Sequence, residues 1–185
     1  MSKTRAAFRH SLEAYNSTYE VESQFKERMI TLLKFPNCFE RSLVHAHFTA
    51  SAWVVDESFQ NALLTHHAKL DRWLQLGGHA DGEEDLTRVA EKELSEESGL
   101  KQVMFYSKTI FDIDIHTIPE RKGVPQHDHY DVRFLFIADQ DEKIVFNHES
   151  KEVAWVPMNE IPSLCNKNDS ILRMIKKTEE IRMKR

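Results

Sequence analysis

Apolar residues recur along this chain at two spacings, and where the spacing changes marks the expected elements. From Ser11 to about Phe35 the sequence is polar and helix-permissive, with Phe25, Met29, Leu32 and Leu33 at helical spacing until Pro36 ends the pattern, which predicts a docking helix. His45 to Asp56 is rich in β-branched and aromatic residues. Ala62 to His66 resumes that composition after the polar turn Asp56-Glu57-Ser58, so a hairpin is expected. Arg72 to Leu76 predicts a strand that runs into a glycine loop, Gly77-Gly78 and Asp81-Gly82, directly ahead of a helix from about Asp85 to Ser98 that Gly99 stops. Val103 to Ile118 and Tyr130 to Ala138 have strand composition, separated by the loop Pro119 to Gln126. Glu152 to Val156 forms a short strand ended by Pro157. From Asn168 onward, Ile171, Leu172, Ile175, Ile181 and Met183 lie on a basic C-terminal helix. Strands interleaved with helices define a mixed α/β or α+β fold.

Length and composition narrow this picture. A chain of 185 residues supports one well-buried core, so a single domain over 41–185 is expected, preceded by a helical extension over 1–40. Uninterrupted apolar runs such as Phe134 to Ala138 are far too short to span a bilayer, and Met1 to His10 lacks the apolar block of a signal peptide. Cys38 and Cys165 have no C-x-x-C spacing and fit a reducing compartment, so the cytoplasm is the expected location. The formal charge of −5 argues against a nucleic-acid polymer as partner, because neutralising phosphates needs a basic surface. A small phosphorylated substrate is compatible with that charge, since a bound cation and a few placed arginines can hold it. A homodimer is compatible as well.

The helix from Asp85 to Ser98 carries the chemistry. On a wheel with Glu93 at zero, Leu86 falls at roughly 20°, Ala90 at roughly 60°, Leu94 at roughly 100° and Val89 at roughly 320°, which defines the buried face. Glu97 falls at roughly 40° and Glu96 at the edge, at roughly 300°. Acidic residues on a helix are usually a solvated face, but here the phase sets Glu93 and Glu97 in the inward stripe. Two carboxylates one turn apart repel one another, and partial burial raises the cost, so they need a counter-charge or must stay partly protonated. A divalent cation supplies it. Oxygen-only ligands select a hard ion, Mg²⁺ or Mn²⁺ ahead of Zn²⁺, and such an ion serves phosphate-ester chemistry.

The run from Gly78 to Leu100 resembles the Nudix box, G-x5-E-x7-R-E-U-x-E-E-x-G-U with U apolar. It matches at Gly78, Glu84, Glu93, Leu94, Glu96, Glu97, Gly99 and Leu100 and departs at Lys92, where the family has arginine. The resemblance extends from about His45 to Pro162 and implies a mixed β-sheet sandwiched between helices. It implies hydrolysis of a diphosphate linkage in a nucleoside diphosphate derivative or similar metabolite, dependent on Mg²⁺ or Mn²⁺. By the same resemblance Glu93 and Glu97 bind the metal, with Glu96 as a further ligand and the Gly78 carbonyl as a backbone ligand, while Glu84 and Lys92 orient the cluster. The general base is either Glu97 or a later acidic residue, Glu149 or Glu152. Lys92 keeps the charge of arginine but lacks its planar, multi-donor fork. A non-catalytic nucleotide- or metabolite-binding module on the same fold is the alternative.

Several other residues have both a chemical and a structural reading. Arg72, ahead of the glycine loop, and Arg133, inside an apolar strand, could each clamp a phosphate, as could Lys69 and Lys122; surface pairing is the ordinary role of such residues. The pairs His45/His47 and His127/His129 would put both imidazoles on one strand face if extended, and His66-His67 adds more. A zinc site is conceivable there, yet it wants three or four converging ligands and no cysteine spacing helps, so strand-surface or pocket histidines are the expected reading. His127 or His129 could then donate to a substrate phosphate. Trp53, Trp73 and Trp155 are read as core residues. Isomerisation of an isoprenoid diphosphate would need a placed reactive cysteine, and neither cysteine lies in the box. Asp81-Gly82-Glu83 lacks the alternation of a Ca²⁺ loop.

Overall fold

Every residue of β1 (Ala46–Val55) is buried, so this strand lacks the in–out alternation of a half-solvated sheet edge and instead runs through the interior. In the computed structural model, which describes every residue except Met1, Lys122 and Glu149, two helices precede it, α1 (Lys3–Ala14) and α2 (Glu20–Leu32). After β1 come β2 (Asn61–His67), β3 (Arg72–Leu74), β4 (Leu76–His79), α3 (Leu86–Ser98), β5 (Val103–Phe105), β6 (Asp112–Ile118), β7 (His127–Ala138), β8 (Ser150–Pro157), α4 (Ile161–Leu164) and α5 (Asp169–Met183). The hydrogen-bonded strand order is β3-β2-β1-β7-β5, with β4 on β1, β6 on β7 and β8 on β2. This is the α+β class that the interleaved pattern predicts.

Contacts divide the chain into two compact units, each built from three separated segments. The first comprises Met1–Ser51, Gly77–Ala90 and Lys108–Phe134. Its core is aromatic: Phe8 of α1 meets the Phe48 ring edge-on at 5.2 Å, and Phe39 stacks on Phe48 at 5.1 Å. Such pairs add directional attraction to the burial of large apolar surface and fix α1 on the sheet. β6 pairs with β7 in antiparallel register from Asp112↔Arg133 to Ile118↔His127. At Gly77 any Cβ would meet Ser51 Oγ at 2.4 Å and the Ala50 carbonyl at 2.7 Å, so β4 can approach β1 this closely only with glycine there.

The second unit comprises Ala52–Leu76, Glu91–Ser107 and Leu135–Arg185. β2 is its hub, pairing antiparallel with β1 (Val54↔Leu63), β3 (His66↔Trp73) and β8 (Ala62↔Val156). Asn168 starts α5 by accepting from the Ser170 and Ile171 amides, which satisfies two of the helix's free N–H groups. One face of α5 buries Ile171, Met174 and Thr178, and the Thr178 hydroxyl accepts from the indole N–H of the fully buried Trp53 at 2.9 Å.

Four boundaries differ from the expectation. The single N-terminal helix is two, broken at Tyr15–Tyr19, where the Tyr15 hydroxyl donates to Glu22 at 2.6 Å. Gly77 and Gly78 belong to strand β4 rather than to a loop, since extended glycine backbone is what the close approach to β1 demands. The expected strand Val103 to Ile118 is interrupted between β5 and β6, and α4 lies where no helix was expected. No helix among the described residues is long and apolar enough to cross a membrane.

Candidate functional site

Helix α3 is delimited by chemistry at both ends. Asp85 caps it, its carboxylate accepting from the Thr87 amide at 3.1 Å and the Thr87 hydroxyl at 2.6 Å. Gly99 ends it with φ +71°, a conformation that L side chains rarely adopt, and a Cβ there would lie 2.8 Å from the Val145 carbonyl. Between these ends Leu86, Val89, Ala90 and Leu94 are buried, as the wheel requires. Glu97 shares their burial, at 6% exposed. The Glu93 side chain is 17% exposed and the Glu96 side chain 55%, so the inward, flanking and outward positions follow the helical phase.

Lys92 extends its ammonium to within 3.3 Å of Glu93 and 3.2 Å of Glu96. Its pKa is raised, first by the Glu96 hydrogen bond and then by the charge of Glu93, with partial desolvation opposing. The lysine thus braces two of the glutamates as a point charge from the solvent side. The segment that leads to β8 is tied to the same end of the helix: the Val145 amide donates to the Ser98 carbonyl at 2.8 Å and the Asn147 amide group to the Glu96 carbonyl at 3.2 Å. Sequence reading missed this tether, because Val145 and Asn147 belong to no periodic element.

The remaining expected residues lie on other elements or in the segment just ahead of α3. Gly78 sits half-buried in β4. Glu84 is engaged by the N-terminal segment: Arg5 reaches its carboxylate at 2.9 Å and the Ser2 hydroxyl also donates to it. Nothing in the local sequence around Glu84 signals a partner 79 positions away. Glu152 lies exposed on β8 opposite His66, and Arg72 is exposed on β3. Glu149 and Lys122 fall outside the described residues. Trp53 is core, whereas Trp73 and Trp155 are only half-buried, and Trp73 stacks on His66 at 5.2 Å. Cys38 is buried, and burial pushes its thiol up to about 11 against the lowering effect of Arg5, so it is not a ready nucleophile.

Arg133 is buried at 2% exposed, and its guanidinium bonds Asp131 at 2.8 Å, Asp112 at 3.1 Å and Asp114 at 3.3 Å. Burial alone would lower its pKa, but Asp114, Asp131 and Asp112 together hold it above the ordinary arginine value. Thr49 and Ser51 donate to Asp131 at 3.0 and 2.8 Å, so the network is hydrogen-bonded at its rim as well. The expected phosphate clamp is therefore committed to three carboxylates. Its partners Asp112 and Asp114 come from the neighbouring strand, which no local pattern on β7 reveals.

The histidines are not arranged as two same-face pairs. His45 is exposed in the turn before β1, while His47 is 3% exposed within it. His127 and His129 do share one face of β7, and their Nε2 atoms lie 3.2 Å apart. His79 of β4 adds a ring 4.8 Å from that of His129. Burial, first among the causes, pushes His79 down to about 4 and His129 down to about 2, and it lowers His47 too, so these imidazoles are neutral near pH 7.

Against this geometry the comparisons with known proteins are clear about family. A model of the NUDIX domain matches residues 45–176. No curated protein matches the chain by sequence. Among solved structures, an Ap4A hydrolase of C. elegans in a binary complex superposes with a TM-score of 0.59 at 15% identity, covering 72% of this chain and 96% of that one. A NUDIX-family hydrolase from Clostridium perfringens gives 0.53 at 21% identity over 73% and 97% of the two chains. The dihydroneopterin triphosphate pyrophosphohydrolase of E. coli gives 0.55 at 15% identity over 70% and 92%. At these identities the likeness is one of fold. The family match and the box together place the chain in the Nudix family, with the class of a Nudix-type pyrophosphohydrolase.

In ligand chemistry the α3 donors fit the divalent cation that the family implies, although the three carboxylates do not converge within 4.8 Å of one another. Glu93, Glu96 and Glu97 offer only carboxylate oxygens, the ligand type of a hard ion, and of the ionisable groups on the second half of α3 only Lys92 is cationic.

Proposed function

We propose that this protein hydrolyses a diphosphate linkage in a nucleoside diphosphate derivative or a similar small phosphorylated metabolite, with Mg²⁺ or Mn²⁺. The observation that carries the reading is the placement of the Glu97 carboxylate, 6% exposed, on the apolar face of α3 one turn after Glu93. A carboxylate at such a position costs stability unless it is paired or hydrogen-bonded, and a bound cation is one group that would meet that need. Glu93, Glu97 and Glu96, with the Gly78 carbonyl, are the groups we assign to hold the ion. When bound, it supplies a Lewis acid for the diphosphate oxygens.

The chain's own residues do the rest. Glu97, or one of the later candidates Glu149 and Glu152, takes the proton of the attacking water, and Lys92 keeps Glu93 and Glu96 oriented by its two ion pairs. Glu84 contributes indirectly, locked to Arg5 and so fixing the chain just ahead of the Asp85 cap. The names of the structural relatives, one acting on Ap4A and one on a pterin triphosphate, favour a compact phosphoanhydride over a polymer as substrate.

The test is a panel of dinucleoside polyphosphates, nucleoside diphosphate sugars, dinucleotide cofactors and nucleoside triphosphates, incubated with and without Mg²⁺ or Mn²⁺. Two phosphorylated products, or a monophosphate and pyrophosphate, are expected from at least one class and only with metal. Metal-independent turnover, or tight binding of a nucleotide with no cleavage across the panel, would overturn the reading.

A further inference from the structure

Three imidazoles from two strands point their ring nitrogens at one another inside the first compact unit. His47 comes from β1, and His127 and His129 come from alternate positions of β7. One donor atom from each lies within 4.8 Å of the others, and no other set of three or more metal-type side chains converges this way among the described residues. We propose that His47, His127 and His129 form a binding site for a divalent transition metal, Zn²⁺ foremost, separate from the carboxylates of α3.

The hydrogen bonds at the rear of the rings set up this site. His47 Nδ1 faces the Leu43 carbonyl at 3.4 Å and His127 Nδ1 faces the Pro125 carbonyl at 2.8 Å. A carbonyl can only accept, so each Nδ1 carries the proton and each Nε2 presents a bare lone pair. A second-partner bond of this kind is what orients metal-ligating histidines and strengthens them as donors. Of these two lone pairs, that of His127 meets the ring of His129, whereas that of His47 lacks a partner. His47 Nε2 is buried with no hydrogen-bond partner among the described residues. His127 Nε2 and His129 Nε2 stand 3.2 Å apart. Tetrahedral Zn²⁺ with bonds of about 2.0–2.1 Å holds its donors roughly 3.3 Å from one another, which matches the closest pair here and lies within a small side-chain adjustment for the third.

The ordinary alternative is a set of packed core histidines. Core packing accounts for ring stacking, as in the 5.1 Å, 28° arrangement of His47 on His127. It does not account for leaving the buried Nε2 of His47 without a partner in a cluster of three imidazoles. Nitrogen-only donors also decide which ion: imidazole suits Zn²⁺, Ni²⁺ and Cu²⁺, whereas Mg²⁺ prefers the oxygens of α3. Three protein ligands leave the fourth position of a tetrahedral ion open to solvent or to an anionic oxygen.

Chelator-treated full-length protein, held in excess Mg²⁺ to occupy carboxylates, is titrated with Zn²⁺ by calorimetry and with Co²⁺ by visible absorption. One equivalent of each is expected to bind, Co²⁺ with the intense bands of a tetrahedral nitrogen site. His127→Gln and His129→Gln should each weaken Zn²⁺ binding by about 100-fold or more, beyond the effect of losing an outer partner. Glu93→Gln and Glu97→Gln should leave it unchanged. Should the histidine variants fail to fold, the wild-type protein still decides: one equivalent of Zn²⁺ must shift the imidazole ¹⁵N resonances of all three histidines. Absence of stoichiometric binding, unshifted imidazoles, or loss of Zn²⁺ binding in the glutamate variants would each overturn the proposal.

Discussion

Glu97 and Arg133 are both ionisable and both withdrawn from solvent, and the contrast between them separates chemistry from architecture. Arg133 is surrounded by Asp112, Asp114 and Asp131, each within 3.3 Å, so its charge is spent inside the protein. Removing it would leave three buried carboxylates facing one another without their cation. Arg133→Met should therefore cost about 3–5 kcal/mol in urea unfolding, the range for breaking a buried ion pair from one side. Arg133→Lys should recover only part of that loss, because a lysine cannot bond three carboxylates through a planar fork. A loss below about 1 kcal/mol for Arg133→Met would show that the network contributes little. At this scale the sequence was informative for Glu97, whose burial follows from helical phase, and silent for Arg133, whose partners lie on another strand.

Among the elements, α3 and the β1–β2 hairpin show how local chemistry sets boundaries. Asp56 organises the hairpin turn, accepting from the Gln60 and Asn61 amides at 2.9 Å each and from the Ser58 hydroxyl at 2.5 Å. Burial acts to raise its pKa, but the bonds from Ser58, Asn61 and Gln60 outweigh it and hold the carboxyl below its ordinary 3.8. A lowered folded-state pKa means that the stabilisation is fully present above the unfolded value and vanishes as pH falls through the folded one. Asp56→Ala should cost about 1–2 kcal/mol at pH 7. The gap between wild type and variant should close as the pH is taken below 3.8, read from denaturant midpoints at a series of pH values. A gap that is constant down to pH 3 would contradict this account. The same hairpin was readable in the sequence because its turn is polar between two largely apolar runs. The break between α1 and α2 was not, since no glycine or proline marks it; side-chain bonds from Tyr15 and Ser17 to Glu22 span it. Strand β4 was hidden for the opposite reason: its two glycines suggest a loop, and only the proximity of Ser51 explains why they are extended.

At the scale of the whole molecule, the fold is shared with hydrolases at 15–21% identity, so the likeness lies in the fold rather than in the residues themselves. That is why the strand and helix pattern and the box sufficed to expect the fold. The histidine cluster was half legible: the His127/His129 alternation is visible in sequence, but the convergence of His47 upon it depends on β1 and β7 and has no local signature. Glu84 likewise has a clear place in the box, and its partner Arg5 does not. The substrate is not written in the box at all, because pocket walls come from segments outside it. The central claim rests on Glu97. Its most direct test is kcat/KM for metal-dependent cleavage of the best panel substrate by wild type and by the isosteric Glu97→Gln variant, with thermal unfolding as a check on folding. A fall of at least about 100-fold with the fold retained is predicted; turnover by Glu97→Gln within a few-fold of wild type would contradict the account.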